Sequence, residues 1–108
     1  MTRHQVQTAA LVAAVFFTAP VWSQGGATDP DLAKKGKQIY YINCTRCHGV
    51  NMVSSAAGFF DLRTFPANEK PRFVDSVTNG KRAMPAWGAT LKSDDIDALW
   101  AYVMTAKK

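Results

Sequence analysis

Cys44-Thr45-Arg46-Cys47-His48 decides how this sequence is read. Two thiols stand three positions apart, and a histidine follows the second directly. On one helical turn that spacing brings both sulfurs and the imidazole to the same side of the backbone. A structural zinc site needs four protein ligands. Beyond residue 23 the chain offers only two Cys and one His, which makes a zinc ribbon implausible. A redox dithiol needs strand–helix alternation around C-x-x-C, and the flanking sequence has none. A plain disulfide leaves His48 unexplained. The remaining reading is C-x-x-C-H as a c-type haem attachment sequence. Cys44 and Cys47 add to the two vinyl groups as thioethers, and His48 is held beneath the iron as its proximal ligand. That histidine must be neutral, with its second nitrogen donating to a backbone carbonyl.

Working outward, the search is for a second axial ligand. His48 is the only histidine beyond residue 23, so two histidines from one chain cannot serve. Met52 lies four residues past His48, too near to reach the opposite face. Met104 falls near the end of the last helical stretch, off its apolar stripe. Met84 lies 36 positions downstream in Lys81-Arg82-Ala83-Met84-Pro85. There Pro85 biases the methionine towards extended backbone, suited to a loop that presents a side chain. Met84 is therefore the expected sixth ligand. A thioether opposite an imidazole raises the potential and leaves no open coordination position, which points to electron transfer rather than catalysis. A haem enzyme or gas sensor would need a labile sixth site, and the chain lacks a distal histidine.

The N-terminus has its own pattern. Arg3 and His4 precede the apolar run of residues 9–19, AALVAAVFFTA, and Pro20 with small or polar residues follows. That order is a secretory signal peptide, and the run is shorter than the roughly 20 residues a spanning helix needs. Cleavage is expected after Ser23, with residues 24–28 a flexible leader and 29–108 the single domain. The expected location is the periplasm, without stable membrane insertion. The mature 85 residues carry twelve Lys and Arg against eight Asp and Glu, a net of +4. The surplus is dispersed, so nucleic acid is not an expected partner; acidic protein surfaces are. So short a chain builds a marginal core and calls for a staple such as a covalent cofactor.

Three helical stretches are expected and no strand; the class is all-α. The first is capped by Asp29 with Pro30 in its first turn, and places Leu32, Gly36, Ile39, Tyr40 and Asn43 on one face. Residues 50–67 read as loop, with Phe59, Phe60, Leu62 and Phe65 turned inward. A short helix from Pro71 to Thr78 stops at Asn79-Gly80. The last begins at a Ser93 cap, with Asp94 and Asp95 at its N-terminus and Lys107 and Lys108 at its other end. Its stripe is Ile96, Leu99, Trp100 and Val103.

From Asp31 to Val103 the sequence resembles the small class I cytochrome c family. The match runs through Gly36 and Tyr40, CTRCHG at 44–49, MPAWG at 84–88 and LWAYV at 99–103. The resemblance implies the cytochrome c fold: three to four short helices around one covalently bound haem c, with the first and last helices crossing. Gly36 would then face Leu99 and Tyr102. It also implies a monomeric one-electron carrier between a periplasmic dehydrogenase and a terminal oxidase, or else a cytochrome subunit of a larger redox complex. Residues 72–103 look like cytochromes that accept electrons from quinoprotein (PQQ) alcohol dehydrogenases. Where relatives often read Pro-Asp-Leu, this chain has Phe60-Asp61-Leu62-Arg63. Arg63 and Trp87 are candidate partners of the haem propionates. Lys81 and Arg82 are candidates for the docking rim.

Overall fold

The computed structural model describes residues 10–20, 29–54 and 57–107. The expected cleavage point after Ser23 and the leader at 24–28 lie outside the described residues. Residues 10–20 form no regular element, and Leu11, Val12, Phe16 and Phe17 are exposed rather than packed into a core. Among the described residues no helix is long and apolar enough to cross a membrane.

Four helices carry the fold: α1 (Pro30–Asn43), α2 (Thr45–His48), α3 (Lys70–Asn79) and α4 (Ser93–Thr105). Single 3-10 turns occur at Val50–Met52 and Leu62–Thr64. The described residues contain no strand, only an isolated backbone bridge between Lys81 and Met84. The protein is all-α, as the sequence led us to expect.

The start of α1 follows from its cap. The Asp29 carboxylate accepts the N–H groups of Asp31 (3.0 Å) and Leu32 (3.3 Å), satisfying two donors that the first turn leaves unpaired. At the other end of the chain, α4 is capped differently from expectation. Ser93 is already helical, and the flanking residue is Lys92, whose N–H donates to the Asp95 carboxylate at 3.0 Å. Asp95 thus reaches back one turn, and also pairs with Lys35 of α1 at 2.9 Å. Lys107 does not serve the C-terminus of α4; its ammonium donates to the Phe65 carbonyl. Lys108 lies outside the described residues.

The core is the seam between α1 and α4, closed from a third side by α3. Gly36 and Ala33 of α1 are buried against α4. The glycine meets the backbone of Ala98 and Leu99 rather than the side chains of Leu99 and Tyr102. Tyr102 packs instead edge-on to Tyr40, with ring centroids 5.3 Å apart. Phe65, Phe73 and Trp100 form a second knot, with centroid separations of 5.3–5.9 Å in edge-on or tilted geometry. Each such side chain contributes about 1.5–3 kcal/mol by leaving water, and the mutual ring geometry adds to that. The knot fixes α3 on α4, and Lys70 pairs with Asp97 across the same junction at 2.9 Å.

Between α2 and α3 the inward expectation holds for some residues only. Phe65 is buried and Leu62 is half-buried, whereas Phe59 and Phe60 are 43% and 51% exposed. Both face the cavity described next, and Phe60 also packs edge-on against buried Phe65, with ring centroids 5.9 Å apart.

Candidate functional site

The attachment sequence sits where α1 ends. Cys44 closes α1, its N–H donating to the Tyr40 carbonyl at 2.8 Å. Its own carbonyl then accepts from Cys47 (3.2 Å) and His48 (2.9 Å), so residues 44–48 make one helical turn. The turn is stitched to its surroundings. Thr45 donates through its hydroxyl to the Tyr41 carbonyl at 2.7 Å, and Ser54 to the Cys47 carbonyl at 3.2 Å. Tyr40, almost wholly buried, donates its hydroxyl to the Gly49 carbonyl at 2.6 Å. Gly49 itself has φ +81°, and a β-carbon there would lie 2.0 Å from the Val53 carbonyl oxygen. The chain therefore turns sharply just after His48 and is held there.

Opposite lies the segment from Gly80 to Gly88. Lys81 and Met84 exchange both backbone hydrogen bonds, at 3.1 and 3.0 Å, around the turn residues Arg82 and Ala83. The N–H groups of Trp87 and Gly88 return to the carbonyls of Val77 (2.8 Å) and Thr78 (3.1 Å), which the end of α3 leaves free. The segment is thus closed on α3 at both ends.

Between these two segments lies a cavity of about 440 Å³. Cys44, Cys47, His48, Met84 and Trp87 all line it. Its walls are largely apolar, with Phe59, Phe60, Leu62, Phe65 and Leu99 contributing. Such a volume and lining suit a mostly apolar ligand held by few polar groups. Met52 is 2% exposed in the core and does not line the cavity; Met104 does not line it either.

Burial governs the chemistry of the sulfur and nitrogen groups. It pushes the Cys44 thiol up to about 11, with the neighbouring Cys47 adding to the effect. A thiol held protonated is a poor metal ligand and a poor free nucleophile. Burial lowers the pKa of His48 below the ordinary imidazole value, with the Phe60 backbone pulling partly the other way. The neutral ring that iron ligation requires is thereby favoured. His48 Nδ1 is buried and has no hydrogen-bond partner, and a buried polar atom in that state calls for one. An apolar cavity with two thiols, a neutral imidazole and a thioether on its walls fits an iron porphyrin. Among the described residues no group of three or more His, Cys, Asp or Glu side chains could hold a bare metal ion.

The two expected propionate partners separate. Trp87 lines the cavity. Arg63 does not; its guanidinium forks onto Asp61, with Nε and Nη2 each 2.9 Å from a carboxylate oxygen. That pairing raises the Arg63 pKa and occupies the geometry a propionate would need. Arg72, which the sequence reading did not single out, lines the cavity beside Lys81 and Arg82. It lies over the Phe65 ring at 4.4 Å and pairs with Glu69. Its Glu–Arg spacing of three marks a helical ion pair, but nothing local to the sequence says that this side of α3 faces the cavity.

Residues 31–103 match the family model described as cytochrome c oxidase, cbb3-type, subunit III. The chain is 35% identical over 86 residues to the cbb3-type cytochrome c oxidase subunit CcoP of Azospirillum brasilense, covering 71% of this chain and 29% of that one. It is 37% identical over 73 residues to cytochrome c6 of Microcystis aeruginosa, covering 64% and 90%. With cytochrome c6 of a Synechococcus species it shares 31% over 98 residues, 87% of each chain. The chain thus spans less than a third of the oxidase subunits it matches and most of the cytochromes c6.

Proposed function

From its membership of the class I c-type cytochromes, a family of electron carriers with one covalently attached haem c, we propose that this chain is a one-electron shuttle. Cys44 and Cys47 would carry the thioether bonds, and His48 and Met84 would ligate the iron. The observation that carries the reading is that these four residues, up to 40 positions apart in sequence, line one apolar cavity.

Haem c, when bound, supplies an iron that changes between ferric and ferrous at a potential set by its ligands and surroundings. The chain does the rest. The turn at 44–48 would fix the cofactor through Cys44, Cys47 and His48. Burial keeps His48 neutral. The Gly80–Gly88 segment presents the Met84 thioether to the cavity, where it would favour the ferrous state and would leave no position for peroxide or oxygen. Aromatic and aliphatic walls exclude water, which also favours the less charged state. Trp87 is the proposed propionate partner; the Asp61 fork draws Arg63 away from that role, and Arg72 stands nearer the cavity.

The cavity's cationic side supports the partner class. Lys81 and Arg82 are exposed and line the cavity, so an acidic redox protein would be steered towards it. Donor and acceptor are proposed as a periplasmic dehydrogenase, of which a PQQ alcohol dehydrogenase is one candidate, and a terminal oxidase. Export with cleavage after Ser23 supplies the location, and the mature protein is a monomer. Similarity to oxidase subunits favours a second reading, a fixed cytochrome subunit of a larger complex. Size-exclusion of a native extract separates the two: a free shuttle elutes alone, a subunit with its complex.

The ligand set is tested on purified holoprotein. The ferric form should show the weak far-red band of methionine-sulfur ligation, and Met84→Ala should abolish it, lower the potential and let the ferrous form bind carbon monoxide. Ready carbon monoxide binding by the unaltered protein at neutral pH would overturn the shuttle reading in favour of a sensor or enzyme.

A further inference from the structure

We propose that Gly80 and Gly88 are positioning residues for Met84, clamping its loop to the end of α3 so that the thioether's hold on iron is set by backbone contacts. The proposal rests on Met84 being the axial ligand. Each glycine is a place where the chain has no room for a side chain. At Gly80, a β-carbon would stand 2.8 Å from the Met84 carbonyl oxygen and 2.9 Å from the Ala86 nitrogen. Gly80 also has φ +78°, which side chains oppose. At Gly88, a β-carbon would stand 2.8 Å from Thr78 Cγ2 and 2.9 Å from the Thr78 carbonyl oxygen. That carbonyl is the acceptor for the Gly88 N–H.

The two contacts work at opposite ends of one closed segment. Gly80 lets the Met84 backbone fold onto the end of α3; Gly88 and Trp87 let the returning chain dock on Thr78 and Val77. α3 is in turn locked to α4 through Phe73 and Trp100. The methionine is therefore aimed by a core helix, and not by a loop free to swing. Inside this segment the Lys81–Met84 backbone pair holds Met84, so displacing either anchor would move the sulfur without touching the attachment turn at 44–48.

The test uses holoprotein carrying Gly88→Ala or, separately, Gly80→Ala, since one alone could fail to accumulate. The far-red ferric band and the far-ultraviolet helix signal are followed on heating, together with carbon monoxide affinity of the ferrous form. The expected result is loss of the band at a temperature below that of the helix signal, by a wider gap than in the parent. Carbon monoxide affinity should rise about tenfold, the change that overpacking of this size gives a coupled equilibrium. Adding Thr78→Ser, which removes the methyl that meets Gly88, should restore part of the band's stability in Gly88→Ala. If band and helices are lost together in both variants and carbon monoxide affinity stays at the parent value, the clamp is overturned while the ligand stands. If Met84→Ala keeps the band, the ligand assignment falls and the clamp falls with it.

Discussion

A β-carbon on Gly36 would stand 1.8 Å from the carbonyl oxygen of Ala98 and 2.4 Å from its carbonyl carbon, so α1 and α4 touch backbone to backbone. No rotamer change can relieve such a contact, because neither partner is a side chain. Gly36→Ala must push the helices apart along the seam that holds Tyr40, Leu99 and Tyr102. Overpacking typically costs about 1–3 kcal/mol, and a backbone clash sits at or above the top of that range. Denaturant unfolding of the holoprotein should show a loss of about 3 kcal/mol; a midpoint within error of the parent would contradict the close crossing.

Tyr40→Phe keeps the buried ring and its contact with Tyr102 while removing the hydroxyl that donates to the Gly49 carbonyl. The expected loss is about 1 kcal/mol. Since the bond ties down the residue after His48, ferric paramagnetic shifts from the haem periphery should change as well. Unchanged shifts would confine Tyr40 to packing.

The Lys35–Asp95 pair, with Asp94 beside it, links α1 to α4 at the surface. Hydrogen bonds from Lys35 and then from the Lys92 N–H hold the Asp95 carboxyl below its ordinary 3.8, and Asp95 foremost raises Lys35 above 10.5. A lowered carboxylate stabilises the fold above its unfolded value and loses that contribution as pH falls through the folded one. A raised lysine does so below its unfolded value and loses it as pH climbs through the folded one. Asp95→Asn should therefore be less stable than the parent between those two ordinary values, with the gap closing in strong acid and strong alkali. The gap should be small and should shrink with salt, because the pair is exposed. A gap that is constant with pH would remove the Asp95 charge from the effect.

Lys81→Glu with Arg82→Glu reverses the charge at the cavity's cationic side. With an acidic redox partner, the bimolecular oxidation rate should fall by about tenfold at low salt, and the parent's rate should itself drop as salt rises. A rate indifferent to ionic strength in both proteins would remove these residues from docking.

What the sequence made legible was local. The C-x-x-C-H turn, the Asp29–Pro30 helix start and the Asn79-Gly80 stop depend on neighbours within one or two turns, and each stands where expected. Met84, chosen by elimination among three methionines, lines the same cavity as the C-x-x-C-H turn. Much of what escaped was decided by residues far away along the chain. Arg72 borders the cavity only because Phe73 and Trp100 lock α3 onto α4. Arg63 turns to Asp61 two positions back, a pairing as open to sequence as the propionate role but not distinguishable from it without coordinates. Lys107 finds the Phe65 carbonyl 42 residues away instead of its own helix end. Phe59 and Phe60 were read inward on hydrophobicity alone, which does not distinguish a core from the wall of a cavity.

Lys35 and Asp94 are 59 residues apart along the chain, yet they meet where α1 crosses α4. The architecture is thus a long loop whose stems join near its ends, and the entropy of closing such a loop must be met before the seam repays it. A porphyrin bonded at residues 44–48, as proposed, would give the chain an apolar surface on which residues 59–65 and 73–77 could collapse early, shortening the stretch left to close. The expected order is attachment at residues 44–48 first, docking of the terminal helices next, and the Gly80–Gly88 segment last, because its backbone bonds to Val77 and Thr78 need α3 already in place.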